Sequence, residues 1–279
     1  TALTDRGTPI AGKPYTFRAP ETAVDALVSA GVDVVGMANN HAADFGTVGL
    51  TDTLAAREHS LIPIVGIGRD IDDAFSQRII TVNGVRIAVL ASTQLSEQTA
   101  LQHAATATRP GVAANLEMTA LRQAVRRDAA AADLVVVMMH WGLDYLTCAE
   151  AGQVRTAQQL AADGADVIVG GHAHRVQGGG WLKGAYVAYG LGNFVWYRND
   201  GLNGHTGVLT LTVDAKRAQA QRGSGGRGPA PLVQEAVWTP MLIGDDAVPR
   251  VAPSDQTAAL TAEWRRGTTC AGLAGEPGH

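Results

Sequence analysis

Three apolar runs in this chain each break off at a histidine, and that repetition constrains the fold more than any other feature. The clearest is Ala165-Asp166-Val167-Ile168-Val169-Gly170-Gly171-His172-Ala173-His174. Its continuous β-branched residues read as a strand covered on both faces, and Gly170-Gly171 marks a sharp turn. A second run, Asp133 to Met139, leads into His140-Trp141-Gly142, and a third, Gly31 to Met37, leads into Ala38-Asn39-Asn40-His41. Strands that deliver histidines to one end suggest a single site at the carboxyl edge of a sheet, where open α/β sheets place their ligands. Two imidazoles one residue apart, as at His172 and His174, offer a divalent ion two nitrogen lone pairs at about 2.0–2.1 Å without adding charge.

The rest of the chain reads as helices and strands in alternation. Helices are predicted from Pro20 to Ala30, over 46–59, from Asn115 to about 132, over 151–163 with Gly164 at its end, and over about 255–266. Asn83-Gly84 between two apolar runs predicts a hairpin. Residues 1–19, with their Gly and Pro punctuation, read as an extended surface loop, 93–113 as a further loop, 216–231 as a mobile loop, and the Gly-rich tail as frayed. With 279 residues, 46% hydrophobic and 17% charged, the simplest organisation is one domain over 1–279. A net charge of −4 provides no overall basic field, so nucleic acid is not an expected partner. No apolar run reaches the length needed to span a membrane. Cys148 and Cys270, the only cysteines, fit a disulfide in an oxidising compartment or two unrelated thiols. His59, His103 and His279 carry no site signal, and His205 reads as a turn residue.

Taken together, the stretch from Gly31 to Gly46, then His140-Trp141-Gly142, then Gly164 to His174, then Tyr189-Gly190-Leu191-Gly192-Asn193-Phe194 resembles the CapA-type poly-γ-glutamate capsule-synthesis family. That family falls in the calcineurin-like metallophosphoesterase superfamily, and the resemblance covers about residues 1 to 213. It implies an α/β fold, a four-layer αββα sandwich. The implied activity is metal-dependent phosphoesterase-like hydrolysis associated with capsule or cell-surface polymer synthesis, and the alternative is a non-catalytic polymer-binding or scaffolding protein. By position, Asn40, His140, His172 and His174 would hold metal (Mn, Fe or Zn). His41 would be the general acid and Asp44 the carboxylate that orients it. Asn39, Trp141, Asp144 and Asn193 would lie around them, with Asp144 behind His140 and Trp141 either a wall of the pocket or core packing. Two divalent ions about 3.5–4 Å apart can clamp a phosphoryl group while an imidazolium protonates the leaving oxygen. The implied partner is a small phosphoester or an anionic polymer, the latter needing a local basic groove such as Arg175, Lys183 and Arg198. The implied address is extracytoplasmic or at the cell surface.

One departure from the superfamily pattern matters. Its opening Gly-Asp strand and following Asn-x-Glu loop have no counterpart here, and Asp5 lies in a Gly/Pro-rich stretch. The chain thus reads as a fragment of a longer protein that would hold two ions, the alternative being a short form with an incomplete, one-metal or dead site. As given, it is expected to hold at most one, weakly.

Overall fold

The protein is described by a computed structural model covering residues 1–224, 228 and 230–277. It is a mixed α/β structure whose backbone contacts divide it into two compact units. The first comprises residues 1–80, 89–124 and 138–140, and the second residues 81–88, 125–137 and 141–279.

In the first unit, short strands pair Val35–Gly36 with Ile64–Val65 in parallel and Ile67–Gly68 with Gly111–Val112 in antiparallel. Gly66, at φ +89°, makes the bend between the second and third of these, and a Cβ there would lie 2.6 Å from Ala38 Cβ and 2.9 Å from Ala91 Cβ. Only glycine fits such a backbone without strain. Helix Gly46–His59 starts and ends where the periodicity predicts, burying Leu50, Thr53 and Ala56. Residues 1–19 are less loop-like than their glycines and prolines suggest. Ala2–Leu3 pairs in parallel with Arg18–Ala19, and Ala2, Leu3 and Thr4 are buried. Nor is 93–113 all loop, since helix Gln98–His103 lies inside it and buries Thr99 and Ala100.

The second unit is built on a mixed sheet in the order Val176–Leu182, Ala185–Leu191, Val167–His172 and then residues 134–137, 85–88 and 81–82. The strand ending at His172 runs parallel to Ala185–Leu191, which pairs antiparallel with Val176–Leu182. A second, antiparallel sheet joins His205–Val213, Val233–Ile243 and Pro249–Val251. Side chains from both sheets, among them Val167, Tyr186, Leu209, Leu211 and Trp238, share one apolar core with Trp264 of helix Ser254–Cys270. Trp238 and Trp264 stack at 4.3 Å, and the Trp181 indole donates to the Val233 carbonyl at 2.9 Å. Aromatic stacking of this kind contributes about 0.5–1.5 kcal/mol beyond the area it buries.

Two expectations about this unit change. Residues 215–224 form a helix, Ala215–Ser224, not the first part of a mobile loop. Its opening residues Ala, Lys, Arg, Ala, Gln are strong helix formers, and Asp214 accepts from the Arg217 N–H at 3.0 Å, so local preference and an end cap outweigh the Gly/Pro composition that follows. Residues 225–227 and 229 of that predicted loop lie outside the described residues. The tail past Cys270 is also ordered through Ala274, which exchanges backbone hydrogen bonds with Trp181. Cys148 and Cys270 are joined as a disulfide. Among the described residues no helix is long and apolar enough to cross a membrane.

Candidate functional site

In the first unit the Val35–Gly36 strand hands the chain to Asn39-Asn40-His41 just before helix Gly46–His59 begins. Asn40 is buried, and its orientation follows from its neighbours. Its Nδ2 donates to Glu97 Oε2 at 2.9 Å, which turns Oδ1 toward His140 Nε2, 3.0 Å away. Its carbonyl accepts from Lys13 Nζ and Thr99 Oγ1. Asn39 does not join this group; its Oδ1 accepts the His41 N–H at 2.9 Å and shapes the turn. His140 is fixed through its carbonyl, which accepts from the Gln94 N–H at 2.9 Å and from Thr93 Oγ1 at 3.3 Å.

Asp44, fully buried, is the hub of the turn. Oδ2 lies 2.7 Å from His41 Nδ1 and accepts the Phe17 N–H at 2.6 Å, while Oδ1 accepts from Lys13 Nζ, also at 2.6 Å. Burial pushes this carboxyl up, but the bonds from His41, Lys13 and the Phe17 N–H outweigh burial and hold it below the usual carboxylate range. An ionised Asp44 makes His41 Nδ1 a donor and leaves Nε2 as the atom that exchanges protons. The edge of the Phe17 ring, 4.6 Å from the imidazole, limits its rotation. Lys13 and Glu97 are the participants the sequence did not reveal. A lone lysine in a Gly/Pro stretch and a single glutamate in an aperiodic segment carry no pattern that sets them apart.

The second unit gathers the other histidines. His172 and His174 end and follow the Val167–His172 strand with φ of 99° and 53°, a conformation non-glycine residues seldom adopt and one that concentrates at functional sites. With Asp144 they place one donor atom each within 4.8 Å of one another. His174 Nδ1 meets Asn193 Oδ1 at 2.6 Å. Because Asn193 Nδ2 donates to the Asn203 carbonyl at 3.0 Å, Oδ1 is the acceptor and His174 Nδ1 carries the proton. The lone pair is then on Nε2, the arrangement metal-ligating histidines require of their outer partners.

Asp144 meets His172. Gly142, at φ +89°, swings the chain so that Asp144 Oδ1 comes 3.3 Å from His172 Nε2, and the Tyr145 N–H donates to the Ala173 carbonyl at 2.8 Å. Trp141 does not line a pocket. It is completely buried, its indole donating to the Tyr189 carbonyl at 2.9 Å, so it props the sheet. The predicted basic groove is weakened as well, since Arg175 donates to His174 O and Asn203 Oδ1 and Arg198 pairs with Asp200. His205 is no turn residue but opens the His205–Val213 strand, paired with Glu263 at 2.7 Å.

Comparison with known proteins places these residues in a family. Capsule biosynthesis protein CapA of Bacillus anthracis is 35% identical over 189 residues, 67% of this chain and 45% of its own length. PGA biosynthesis protein CapA of Bacillus subtilis strain 168 is 33% identical over 190 residues, 67% of this chain and 48% of its own. The chain thus spans about half the length of the curated relatives it matches. Among solved structures, the Haemophilus influenzae NAD nucleotidase superposes over 88% of this chain and 48% of its own, at 12% identity and a TM-score of 0.46. Residues 1–198, which include Asn40, His41, Asp44, His140, His172 and His174, match the family model described as bacterial capsule synthesis protein PGA_cap, and the chain belongs to that family.

Proposed function

We propose that this chain is the hydrolytic part of a metal-dependent phosphoesterase-type protein serving capsule or cell-surface polymer synthesis. The observation that carries the reading is the first unit's arrangement, in which a proton-transfer pair, His41 and Asp44, is built into the same turn as Asn40, whose Oδ1 stands 3.0 Å from His140 Nε2. Asn40 Oδ1 and His140 Nε2 would hold an ion in that unit; His172 and His174 would hold one in the other. Amide oxygen and imidazole nitrogen suit Mn, Fe or Zn alike. A bound divalent ion would supply Lewis-acid stabilisation of the charge that builds on phosphoryl oxygens. The chain itself does the rest. Asp44 keeps His41 in one tautomer and orientation, His41 Nε2 gives its proton to the departing oxygen, and Glu97 prevents Asn40 from flipping its amide. A general acid so placed contributes typically about 10²–10⁴-fold.

The family's link to a capsule polymer supports a polymer-associated phosphoester as substrate, and the disulfide supports an extracytoplasmic address, where such bonds persist. Non-catalytic polymer binding is the weaker reading, because the arginines expected to attract an anionic chain already have partners. The test is metal content and turnover of bis-p-nitrophenyl phosphate after loading with Mn²⁺ or Zn²⁺. The expected result is bound metal and a rate that His140→Ala reduces to background; preparations that hold no metal and hydrolyse no faster than that variant overturn the proposal.

A further inference from the structure

Asp144 stands where a ligand would. Two ligands each about 2.0–2.1 Å from a tetrahedral ion are about 3.3–3.4 Å apart, and Asp144 Oδ1 and His172 Nε2 are 3.3 Å apart, with the third donor, on His174, inside the same 4.8 Å cluster. His174 is already oriented for metal by Asn193. Asp144 keeps 52% of its side-chain surface exposed, so an ion there would retain an open side for water or substrate.

The segment that carries Asp144 is tied down by groups that do not ligate. The Tyr145 N–H is bonded to Ala173, the Arg175 guanidinium lies 4.8 Å over the Tyr145 ring, and Gln177 Nε2 donates to the Leu146 carbonyl at 2.9 Å. Gln177 is held in turn by Gln153 Nε2, at 3.0 Å and fully buried. The strongest tie is covalent, from Cys148, four residues past Asp144, to Cys270 at the end of helix Ser254–Cys270. Cys270 is exposed, so a reductant can reach the bond.

Resting on the metal reading above, we propose that Asp144 is a third protein ligand beside His172 and His174, and that the Cys148–Cys270 disulfide holds it in ligating position. The result is a site for one divalent ion with two imidazoles and one carboxylate, complete within the second unit. The carboxylate supplies the charge compensation that neutral imidazoles lack, so the chain holds its ion firmly, contrary to the weak binding expected from the sequence. The strength of that hold depends on the oxidation state of the cysteines.

Calorimetric titration with Zn²⁺, and visible absorption with Co²⁺ as the spectroscopic probe, test both parts on the full chain. Oxidised wild type should take up one equivalent at this site, His172→Ala should lose it, and Asp144→Asn should weaken it by at least the roughly 10–100-fold typical of outer-shell losses, with a changed Co²⁺ spectrum. Removing the bond, by Cys148→Ser with Cys270→Ser or by reducing and alkylating the wild type, should weaken binding about tenfold, within that same range, while circular dichroism stays unchanged. Equal Zn²⁺ affinity in wild type and Asp144→Asn, both above His172→Ala, overturns the ligand assignment and leaves the metal reading standing. Wild type that binds no better than His172→Ala overturns both. Equal affinity with and without the disulfide, in protein of unchanged circular dichroism, overturns the clamp.

Discussion

Asp44→Ala lowers the unfolding free energy by about 3–5 kcal/mol, the usual cost of stripping one partner from a buried ion pair. Asp44 is fully buried and the Lys13 side chain is only 8% exposed, so the variant leaves a buried ammonium without its counter-charge, still bonded to the Asn40 carbonyl, and takes away the acceptor of the Phe17 N–H and the anchor of His41. A second substitution separates that cost from mere loss of packing. Lys13→Met on the Asp44→Ala background removes the stranded charge, and urea unfolding should show a large part of the loss recovered, since exchanging both members of a buried pair for apolar groups is often close to neutral. If the double variant is less stable than the single one, the charge is not what destabilises it. The effect also has a pH signature. The folded Asp44 carboxyl is a stronger acid than its unfolded form, its bonds from His41, Lys13 and Phe17 outweighing the burial that pushes it up. Its stabilisation is therefore complete well above the ordinary carboxylate value of about 3.9. It fades as pH falls below that value and the folded carboxyl is protonated. The gap between wild type and Asp44→Ala should be full at pH 7 and shrink steadily in the acid range.

What the sequence made legible was local. Helix Ala151–Asp163 is bounded as expected because its signals are self-contained: Glu150 and Gln153 form a reciprocal cap, and Gly164 takes the left-handed conformation, φ 105°, that closes it. Asn83 and Gly84, at φ 50° and 78°, make the turn their identities require. The histidines at strand ends were readable because an apolar run that stops at a polar residue is a one-dimensional pattern. The strand Val176–Leu182 carries no such pattern, because Gly178-Gly179-Gly180 interrupts it. Those glycines serve an approach that only the folded chain shows: a Cβ on Gly178 would sit 2.3 Å from the Thr268 nitrogen, and one on Gly267 2.4 Å from the Gln177 carbonyl. Helix Ser254–Cys270 thus lies against this strand backbone to backbone. Lys13, Glu97 and the contact between Asp144 and His172 were hidden for a related reason, because each joins residues 28 or more positions apart, and spacing carries no trace of such contacts.

Gly170→Ala and Gly171→Ala, one residue apart, should give opposite results. An ideal Cβ on Gly170 falls 2.1 Å from Trp141 Nε1 and 2.1 Å from the Tyr189 carbonyl oxygen, two atoms that are themselves hydrogen-bonded at 2.9 Å and have no room to retreat, because Trp141 and Tyr189 are completely buried. Forcing a methyl group between them adds overpacking of about 1–3 kcal/mol to the loss of a buried hydrogen bond, about 1–3 kcal/mol more. Since Gly170 lies two residues before His172 on a central strand, whatever shift accommodates the methyl group is passed to the histidines. Gly170→Ala should therefore unfold several kcal/mol more easily than wild type, or fail to fold, and any folded fraction should bind Zn²⁺ poorly. Gly171 has nothing within 4 Å of its Cβ position and shows no left-handed φ, so Gly171→Ala should be neutral or gain up to about 1 kcal/mol from the reduced freedom of its unfolded chain. Thermal melts of the two variants decide the matter. Equal stabilities would mean that the Trp141–Tyr189 bond does not set the position of this strand, and that the histidines owe their placement to something other than the glycine beneath them.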